Sequence, residues 1–287
     1  MNFTHKETPR PMRKPRHCRK LITGFLNPYY RANLWQSTRK LLALLRCSCY
    51  RSCLCRGVAA AIEHEAVLLQ QSARTVIDIG ANRGQFAVVA RRVWPRVSIL
   101  AFEPIDDARQ VMETVFFNDP LFRAYPVALG SREGTAVLHL SRHEPASSLL
   151  PIGPQQAHAF PGTEAAGVRV VPIHRLDRIL QGQNLEKPVL CKIDVQGTEK
   201  EVLEGMGTVS EQIDILLIEA SFVEFYVGQS LFSDLLPWLG CHEFGLDGLY
   251  DAVTDDRGNV TQCNCLLRRR SSSAKRLLQP IRYAPST

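Results

Sequence analysis

The sequence has no hydrophobic run long enough to cross a membrane as a helix. Its most apolar segment near the N-terminal end is interrupted by Arg46, Arg51 and Arg56. The first twenty residues are polar and proline-rich, and no apolar run of the length found in signal peptides follows them. We therefore expect a protein of the reducing cytoplasm whose cysteines are free thiols.

Acidic residues are nearly absent from both ends of the 287-residue chain. Residues 1–60 carry 13 lysines and arginines and one acid, and residues 266–287 carry 6 basic residues and no acid. Residues 61–265 between them hold 16 basic and 27 acidic residues. A nucleic-acid enzyme needs positive potential along its groove, so this distribution argues against a polynucleotide substrate for the core. Weak contact of the basic N-terminal helix with a membrane surface or a partner protein stays open.

The nine cysteines lack the paired C-x₂-C spacing of structural zinc sites. Four of them, Cys47, Cys49, Cys53 and Cys55, stand close together. On a helix only Cys49 and Cys53 would be neighbours, so we interpret the cluster as small apolar residues on a partly buried helix. Metal capture, oxidation and lipidation are the alternatives. Asp194 and Glu219, on adjacent strands, could also supply oxygen ligands to a divalent metal ion. No spacing of histidines or aspartates in the sequence requires a metal, and we assign none.

Short β-branched runs alternate with helical patterns from residue 75 onward. The main strand-like runs are residues 75–80, 97–102, 122–129, 134–142, 167–176, 188–194, 213–219 and 260–268. Helical patterns lie between most of them, and two more are expected before the first strand, over residues 31–56 and 58–71. This alternation predicts an α/β fold, with right-handed crossovers and a mainly parallel sheet that has helices on both faces.

The first strand of this series runs into a glycine-containing turn, DIGANRG, at residues 78–84. In open α/β sheets, ligands bind outside the carboxyl ends of the strands, where glycines let the backbone approach closely. A dinucleotide site has the pattern G-x-G-x-x-G because a pyrophosphate lies against bare backbone, whereas this turn has Asn82 in the middle position. Asp78 at the strand end would repel a pyrophosphate and attract a cation. The turn therefore favours S-adenosylmethionine over NAD.

The order DIGANRGQF, AFEP, VALG, CKIDVQGTEKEVLEG and LLIEAS resembles the FkbM family of S-adenosylmethionine-dependent methyltransferases over roughly residues 58–268. The resemblance implies the Rossmann-like methyltransferase fold, a seven-stranded sheet with a reversed terminal strand, here preceded by a helical N-terminal extension. It also implies O-methylation of a hydroxyl on a small molecule, sugar or glycan, with S-adenosylmethionine as the cofactor.

The same resemblance implies a set of cofactor-binding residues. Glu103, after the second strand, would hold the ribose, which agrees with the place of an acid in nucleoside sites. The turn residues would line the methionine end of the cofactor. The full expected set is Asp78, Gly80, Asn82, Gly84, Phe86, Glu103, Pro104 and Ala128.

Three residues near strand ends are the catalytic candidates. Asp194 follows a buried strand and is the expected general base, although a carboxylate there could equally cap the following helix. Lys192 has its side chain on the same face of that strand and could pair with Asp194 or contact substrate. Glu219 ends the next strand. Gln196 stands where many members of the family carry glutamate, which leaves an acid role at that position open.

The loop at residues 143–167 is too long for a plain connector, and we expect a lid over the acceptor. Ser147, Ser148 and Phe160 are its acceptor-side candidates. On the helix before the sheet, His64 is expected to be exposed.

We divide the chain into a basic, partly disordered and partly helical extension (1–57), a methyltransferase-like domain (58–268) and a basic tail (269–287). Two other functions stay open. An NAD-linked oxidoreductase is disfavoured by Asn82 and by the lack of a Y-x-x-x-K proton-donor motif. A non-enzymatic interaction protein that retained the fold is disfavoured by the intact Asp78, Glu103 and Asp194.

Overall fold

The computed structural model describes residues 34–270, with side chains from residue 40 onward. The predicted disordered arm and nearly all of the basic C-terminal tail lie outside these residues. The helices are α1 (Leu34–Arg46), α2 (Ser48–Cys55), α3 (Glu65–Leu68), α4 (Gln85–Val93), α5 (Asp106–Val115), α6 (Pro154–Ala159), α7 (Leu176–Ile179), α8 (Glu199–Gly205) and α9 (Phe232–Cys241). The strands are β1 (Thr75–Ile79), β2 (Ser98–Phe102), β3 (Phe122–Tyr125), β4 (Ala128–Leu129), β5 (Gly134–Ser141), β6 (Ala165–His174), β7 (Val189–Ile193), β8 (Ile215–Ser221), β9 (Phe244–Thr254) and β10 (Val260–Arg269). None of the helices within residues 34–270 combines the length and apolar character that a membrane span requires.

Seven strands form the central sheet, in the order β3-β2-β1-β7-β8-β10-β9. The first five run parallel to one another, and β10 runs antiparallel to both β8 and β9. From β1 the chain proceeds to one side through β2 and β3, and to the other side through β7 and β8. The strand order therefore reverses at β1, which opens a crevice at the carboxyl ends of β1 and β7.

Both faces of this sheet are covered, as the apolar strand runs predict. Ile77 and Ile79 of β1 belong to one buried cluster, together with residues of α7, α8 and α9. Val76 of β1 belongs to a second cluster on the opposite face, with residues of α2, α4 and α5. β1 and β7 are buried along their whole length, so each is mostly apolar rather than alternating, with Asp78 and Lys192 as the charged exceptions.

A smaller sheet of three strands, in the order β4-β6-β5, lies outside the central sheet. The sequence reading of residues 122–129 as one strand is wrong, because β3 pairs with β2 whereas β4 pairs with β6. The break falls at Pro126, which lacks the N–H that a continuous strand ladder needs. Leu138 and Val171 of the smaller sheet pack with Ile105 and Ala108 at the start of α5. This sheet thus stands beside the carboxyl end of β2.

The N-terminal helices are shorter than predicted. The expected helix over residues 31–56 is divided into α1 and α2 at Cys47, whose backbone is extended. The expected helix over residues 58–71 contains only a 3₁₀ turn at Ile62–His64 and the single turn α3. Its start is non-helical because the N–H of Ala61 donates to the carbonyl of Gln85 at 3.1 Å, a bond to α4. Tyr50 and Cys53 of α2 are buried in the same cluster as Val76, so α2 packs directly on the main domain.

Candidate active site

A cleft opens at the carboxyl ends of β1, β2 and β7 and contains about 550 Å³ of empty space, its open mouth included. Six of the expected cofactor-binding and catalytic residues line it, namely Gly80, Asn82, Glu103, Pro104, Ala128 and Asp194. Apolar side chains complete one wall, among them Val127, Leu138 and Leu149. The structure thus brings residues from four separate motifs to one place.

Three of the expected cofactor residues lie beneath the cleft rather than on its surface, which corrects the sequence reading. Gly84 packs on α5, since a Cβ added there would meet Met112 at 2.9 Å. Phe86 is buried and packs edge-on against His64, with ring centroids 5.1 Å apart. Asp78 is fully buried below the turn. Gly84 and Phe86 pack against the hydrophobic core because both lie on the inner side of the turn and helix that cover the sheet.

Gly80 joins the turn after β1 to the segment after β7. Its φ of +77° lies in the left-handed region, and an added Cβ would overlap the backbone carbonyl of Asp194. The N–H of Asp194 in turn donates to the carbonyl of Ile79 at 3.1 Å. Only glycine accommodates this combination of φ and main-chain contact without strain. The close approach explains why the two motifs form one wall of the cleft.

The carboxylate of Glu103 is held in a fixed orientation by the backbone. Its Oε2 accepts the N–H of Asn82 and its Oε1 accepts the N–H of Ile105, each at 2.7 Å. Burial raises the pKa of Glu103 to about 7, against the opposing effect of the two N–H donors. Each carboxylate oxygen has two lone pairs, so Glu103 can still accept hydrogen bonds from a ligand in the cleft.

Asp78 is a fully buried carboxyl group. Neither of its oxygens makes a close hydrogen bond to another described residue, although the nearby N–H of Ala87 weakly lowers its pKa. Burial raises its pKa to about 6, although the nearby ammonium of Lys192 opposes the shift. An unpaired polar group in such a place is costly unless a ligand or a charge compensates it. Asp78 is therefore a source of negative potential under the glycine turn.

Asp194 lines the cleft, whereas Glu219 does not, and the side chain of Gln196 joins their carboxyl groups. The Nε2 of Gln196 lies 2.7 Å from Oδ1 of Asp194 and 2.6 Å from Oε2 of Glu219. The Nζ of Lys192 lies 2.9 Å from Oδ2 of Asp194, which confirms the pairing that the strand geometry allowed. Asp194 does not cap α8, because Thr198 precedes that helix and no side chain caps its N-terminus. The helix-cap alternative for Asp194 is therefore excluded.

The two carboxyl groups of this pair differ in their electrostatics. Burial opposes ionisation of Asp194, but the ammonium of Lys192 and the side-chain hydrogen bonds from Lys192, Gln196 and Glu219 together outweigh it, so the pKa of Asp194 lies below its ordinary value. Burial, and then the negative charge of Asp194, raises the pKa of Glu219 well above its ordinary value. Lys192 remains charged, because Asp194 and Asp78 outweigh the effect of burial on its pKa. Asp194 therefore loses its proton more readily than Glu219 does.

Tyr226 is a member of the site that the sequence reading missed. Its hydroxyl lies 2.7 Å from Oε1 of Gln196 and 3.1 Å from the carbonyl of Ala146, and its side chain is almost wholly buried. No motif marks it, since it lies in an irregular segment after β8. His64 was expected to be exposed but is buried, with Nδ1 2.8 Å from the hydroxyl of Tyr250.

The loop at residues 143–167 contributes to the cleft through its first part only. Ser147 and Ser148 line the same cleft as Glu103. Phe160 lies away from that lining and packs against Phe225, with ring centroids 5.4 Å apart. The loop also contains structure of its own, a 3₁₀ turn at Glu144–Ala146 and helix α6. The first part of the loop therefore forms a wall of the cleft beside the expected ribose site. The sequence instead predicts a lid over the acceptor only.

The strand order with a single reversed strand, and the glycine turn and acidic residues at the switch point, define the Rossmann-like methyltransferase fold and confirm that expectation. A family model of the methyltransferase FkbM domain matches residues 78–247. The chain belongs to this family.

Comparison with individual proteins gives more distant relatives. Methyltransferase sdnD of Sordaria araneosa is 31% identical over 156 residues, which are 46% of this chain and 60% of that protein. The 2-O-methyltransferase NoeI of Sinorhizobium fredii is 27% identical over 181 residues, 59% of this chain and 74% of that protein. The chain thus spans less than two thirds of the length of methyltransferase sdnD. The structure of an O-methyltransferase family protein from Burkholderia thailandensis aligns with a TM-score of 0.40 and 12% identity over 72% of this chain and 55% of that one.

Proposed function

We propose that the protein is an S-adenosylmethionine-dependent methyltransferase that methylates a hydroxyl oxygen of a small molecule, sugar or glycan. The observation that carries the proposal is that Asp194, whose carboxyl group is joined to that of Glu219 by Gln196, lines a cleft that opens beside a glycine turn. The family of the chain and its similarity to NoeI, a 2-O-methyltransferase, support it.

The residues of the cleft fit an adenosyl cofactor. Glu103 presents fixed acceptor oxygens of the kind that ribose hydroxyls require. Val127, Ala128 and Leu149 offer an apolar surface for the adenine ring of such a cofactor. The buried carboxyl group of Asp78 places negative potential beneath the turn, which suits an ammonium or sulfonium and opposes a pyrophosphate. When bound, S-adenosylmethionine supplies an electrophilic methyl group on a sulfonium.

The chain's own contribution is to hold the acceptor and to take its proton. Asp194 lines the cleft and is ionised, so it can accept a hydroxyl proton there. Lys192 keeps Asp194 in its ionised form and fixes one of its oxygens. Glu219, with its raised pKa, completes a pair that titrates as a unit.

Titration calorimetry with S-adenosylmethionine and S-adenosylhomocysteine tests the cofactor, with NAD as the comparison. We expect both adenosyl ligands to bind and NAD not to bind. In Glu103→Gln the affinity for both adenosyl ligands should fall about tenfold or more, because a hydrogen bond to a charged group contributes roughly 1.5–3 kcal/mol. Glu204→Gln, an exposed carboxylate on α8, is the matched control and should bind as the unaltered protein does.

Three results would count against the proposal or one of its residue assignments. Binding of NAD in place of the adenosyl ligands would favour the oxidoreductase alternative. An affinity that is unchanged in Glu103→Gln would remove Glu103 from the ribose site. Absence of binding by all three ligands would favour the non-enzymatic alternative.

A further inference from the structure

Gln196 occupies an unusual position between the two carboxyl groups. Its backbone has a φ of +58°, in the left-handed region, which directs the side chain back towards β7 and β8. The amide nitrogen lies between Asp194 and Glu219, and the amide oxygen lies against the hydroxyl of Tyr226. The opposite amide orientation would place an oxygen against the carboxylate of Asp194. The surrounding groups therefore fix which end of the amide faces the carboxyl pair.

Gln196 also connects the carboxyl pair to two loops. We call residues 143–153 the cleft loop and residues 222–231 the β8 loop. Ser148 of the cleft loop donates its hydroxyl to the backbone carbonyl of Gln196 at 2.6 Å. Tyr226 of the β8 loop bonds the side chain of Gln196, and its hydroxyl also reaches the carbonyl of Ala146 in the cleft loop.

The two loops are bonded to each other as well. The N–H of Gly153 donates to the carbonyl of Phe225 at 2.8 Å, and the N–H of Val227 donates to the carbonyl of Pro151 at 2.9 Å. A Cβ on Gly153 would lie 2.5 Å from that Phe225 oxygen, so the loops are in close main-chain contact. Gln196 and Tyr226 therefore connect the cleft loop, which lines the cleft, to the carboxyl pair.

We propose that Gln196 is a positioning residue that holds the carboxyl groups of Asp194 and Glu219 together and connects them to the cleft loop. The inference rests on the proposed function in one respect, that the acceptor hydroxyl loses its proton at this pair. A neutral amide suits this position because it donates to both carboxyl groups. A carboxylate in its place would add a negative charge beside Asp194.

Several other charged or titratable groups lie near Asp194 and Glu219 and influence the pKa values of the two carboxyl groups. They are Asp78 on β1, Lys192 on β7, Glu199 on α8, His64 before α3 and Tyr250 on β9. Lys192 is the cation among them, and it already bonds Asp194. A negative charge introduced at position 196 therefore has to be accommodated by proton uptake within the pair.

A pH titration of the carboxyl carbons, followed by ¹³C NMR in protein labelled at Asp and Glu, tests the first half of the inference without any cofactor. In Gln196→Glu the titration midpoint of Glu219 should rise by one pH unit or more, about tenfold in proton affinity. The signal is assigned with Glu219→Gln. Gln183→Glu adds the same charge to the exposed loop before β7, at the amino end of the sheet, and should leave the midpoint in place. An unmoved midpoint in Gln196→Glu would overturn the inference.

Gln196→Met covers the case in which the glutamate variant does not fold. Methionine retains the side-chain length and removes both the donor and the acceptor. Since a hydrogen bond to a charged carboxylate lowers its pKa, loss of the amide should raise the midpoint of Asp194. A midpoint equal to that of the unaltered protein would again overturn the inference.

Hydrogen exchange of the cleft loop tests the second half. Tyr226→Phe should increase exchange of the backbone N–H groups of residues 144–149 about tenfold, because the loop loses its bond to the Tyr226 hydroxyl. Tyr125→Phe is the matched control, since the buried Tyr125 hydroxyl has no hydrogen-bond partner among residues 34–270. Equal exchange in both variants would refute the connection. Neither experiment uses S-adenosylmethionine, so its failure is distinguishable from failure of the proposed function.

Discussion

Replacing Asp194 with asparagine is expected to lower the rate of methyl transfer by about 10²–10⁴-fold, the usual contribution of a general base. An amide of the same shape cannot accept the proton of a hydroxyl. Because Asp194 lies apart from the residues expected to hold the ribose, binding of S-adenosylhomocysteine should change little. The measurement is transfer of labelled methyl to a panel of small hydroxyl compounds and glycans, with calorimetry of S-adenosylhomocysteine alongside.

Asp256→Asn provides the control for this experiment. Asp256 is exposed in the turn between β9 and β10, so the substitution makes the same chemical change away from the cleft. Thermal unfolding of both variants separates a catalytic loss from a folding defect, since Lys192 loses its bonded partner in Asp194→Asn. Full activity in Asp194→Asn would show that the acceptor is deprotonated elsewhere or that positioning alone suffices.

Replacing Gly80 with alanine is expected to destabilise the fold by roughly 3 kcal/mol. Alanine pays about 1–2 kcal/mol for the left-handed conformation, and displacing a neighbouring main chain in a packed core costs about 1–3 kcal/mol more. The displaced group is the carbonyl of Asp194, so the geometry of the carboxyl pair should change too. Denaturant unfolding measures the loss in free energy, and calorimetry measures the accompanying loss in cofactor affinity.

Gly182→Ala is the matched control for Gly80→Ala. Gly182 has a φ of +72°, close to that of Gly80, but an added Cβ there meets nothing within 4 Å. It should therefore cost only the conformational term, about 1–2 kcal/mol, with cofactor affinity unchanged. Equal losses in the two variants would mean that the contact between Gly80 and Asp194 carries no energy of its own.

Much of the central fold was predictable because its strands are short, buried and apolar. The predicted bounds of β1, β2, β7 and β8 each agree within a few residues, since a strand buried on both faces is mostly apolar. The helical extension was harder to predict. Residues 58–61 are apolar enough for a helix, but a backbone hydrogen bond from Ala61 to α4 holds them in another conformation. Helix propensity depends on local sequence and does not predict such a tertiary hydrogen bond.

The candidate site was predictable in its motif residues and not in their supporting contacts. Gly80, Glu103 and Asp194 each follow a strand, and parallel strands bring their carboxyl ends to one edge of the sheet. Phe86 and Gly84 stand in the same motif but face the core, because a helix buries one side. Motif membership alone does not distinguish these two cases.

The sequence by itself determined the class of fold, the family and the residues that meet at the switch point, because alternating strands and helices and a glycine turn are local patterns. Only the tertiary structure decided that Glu103 is held by two backbone N–H groups, that the Asp78 oxygens make no close hydrogen bond within residues 34–270, and that Gln196 lies between Asp194 and Glu219. It also brought in Tyr226, which lies 30 residues further along the chain than Gln196. Those contacts join segments distant in sequence, and their pKa shifts follow from burial and neighbouring charge, which exist only once the chain has packed.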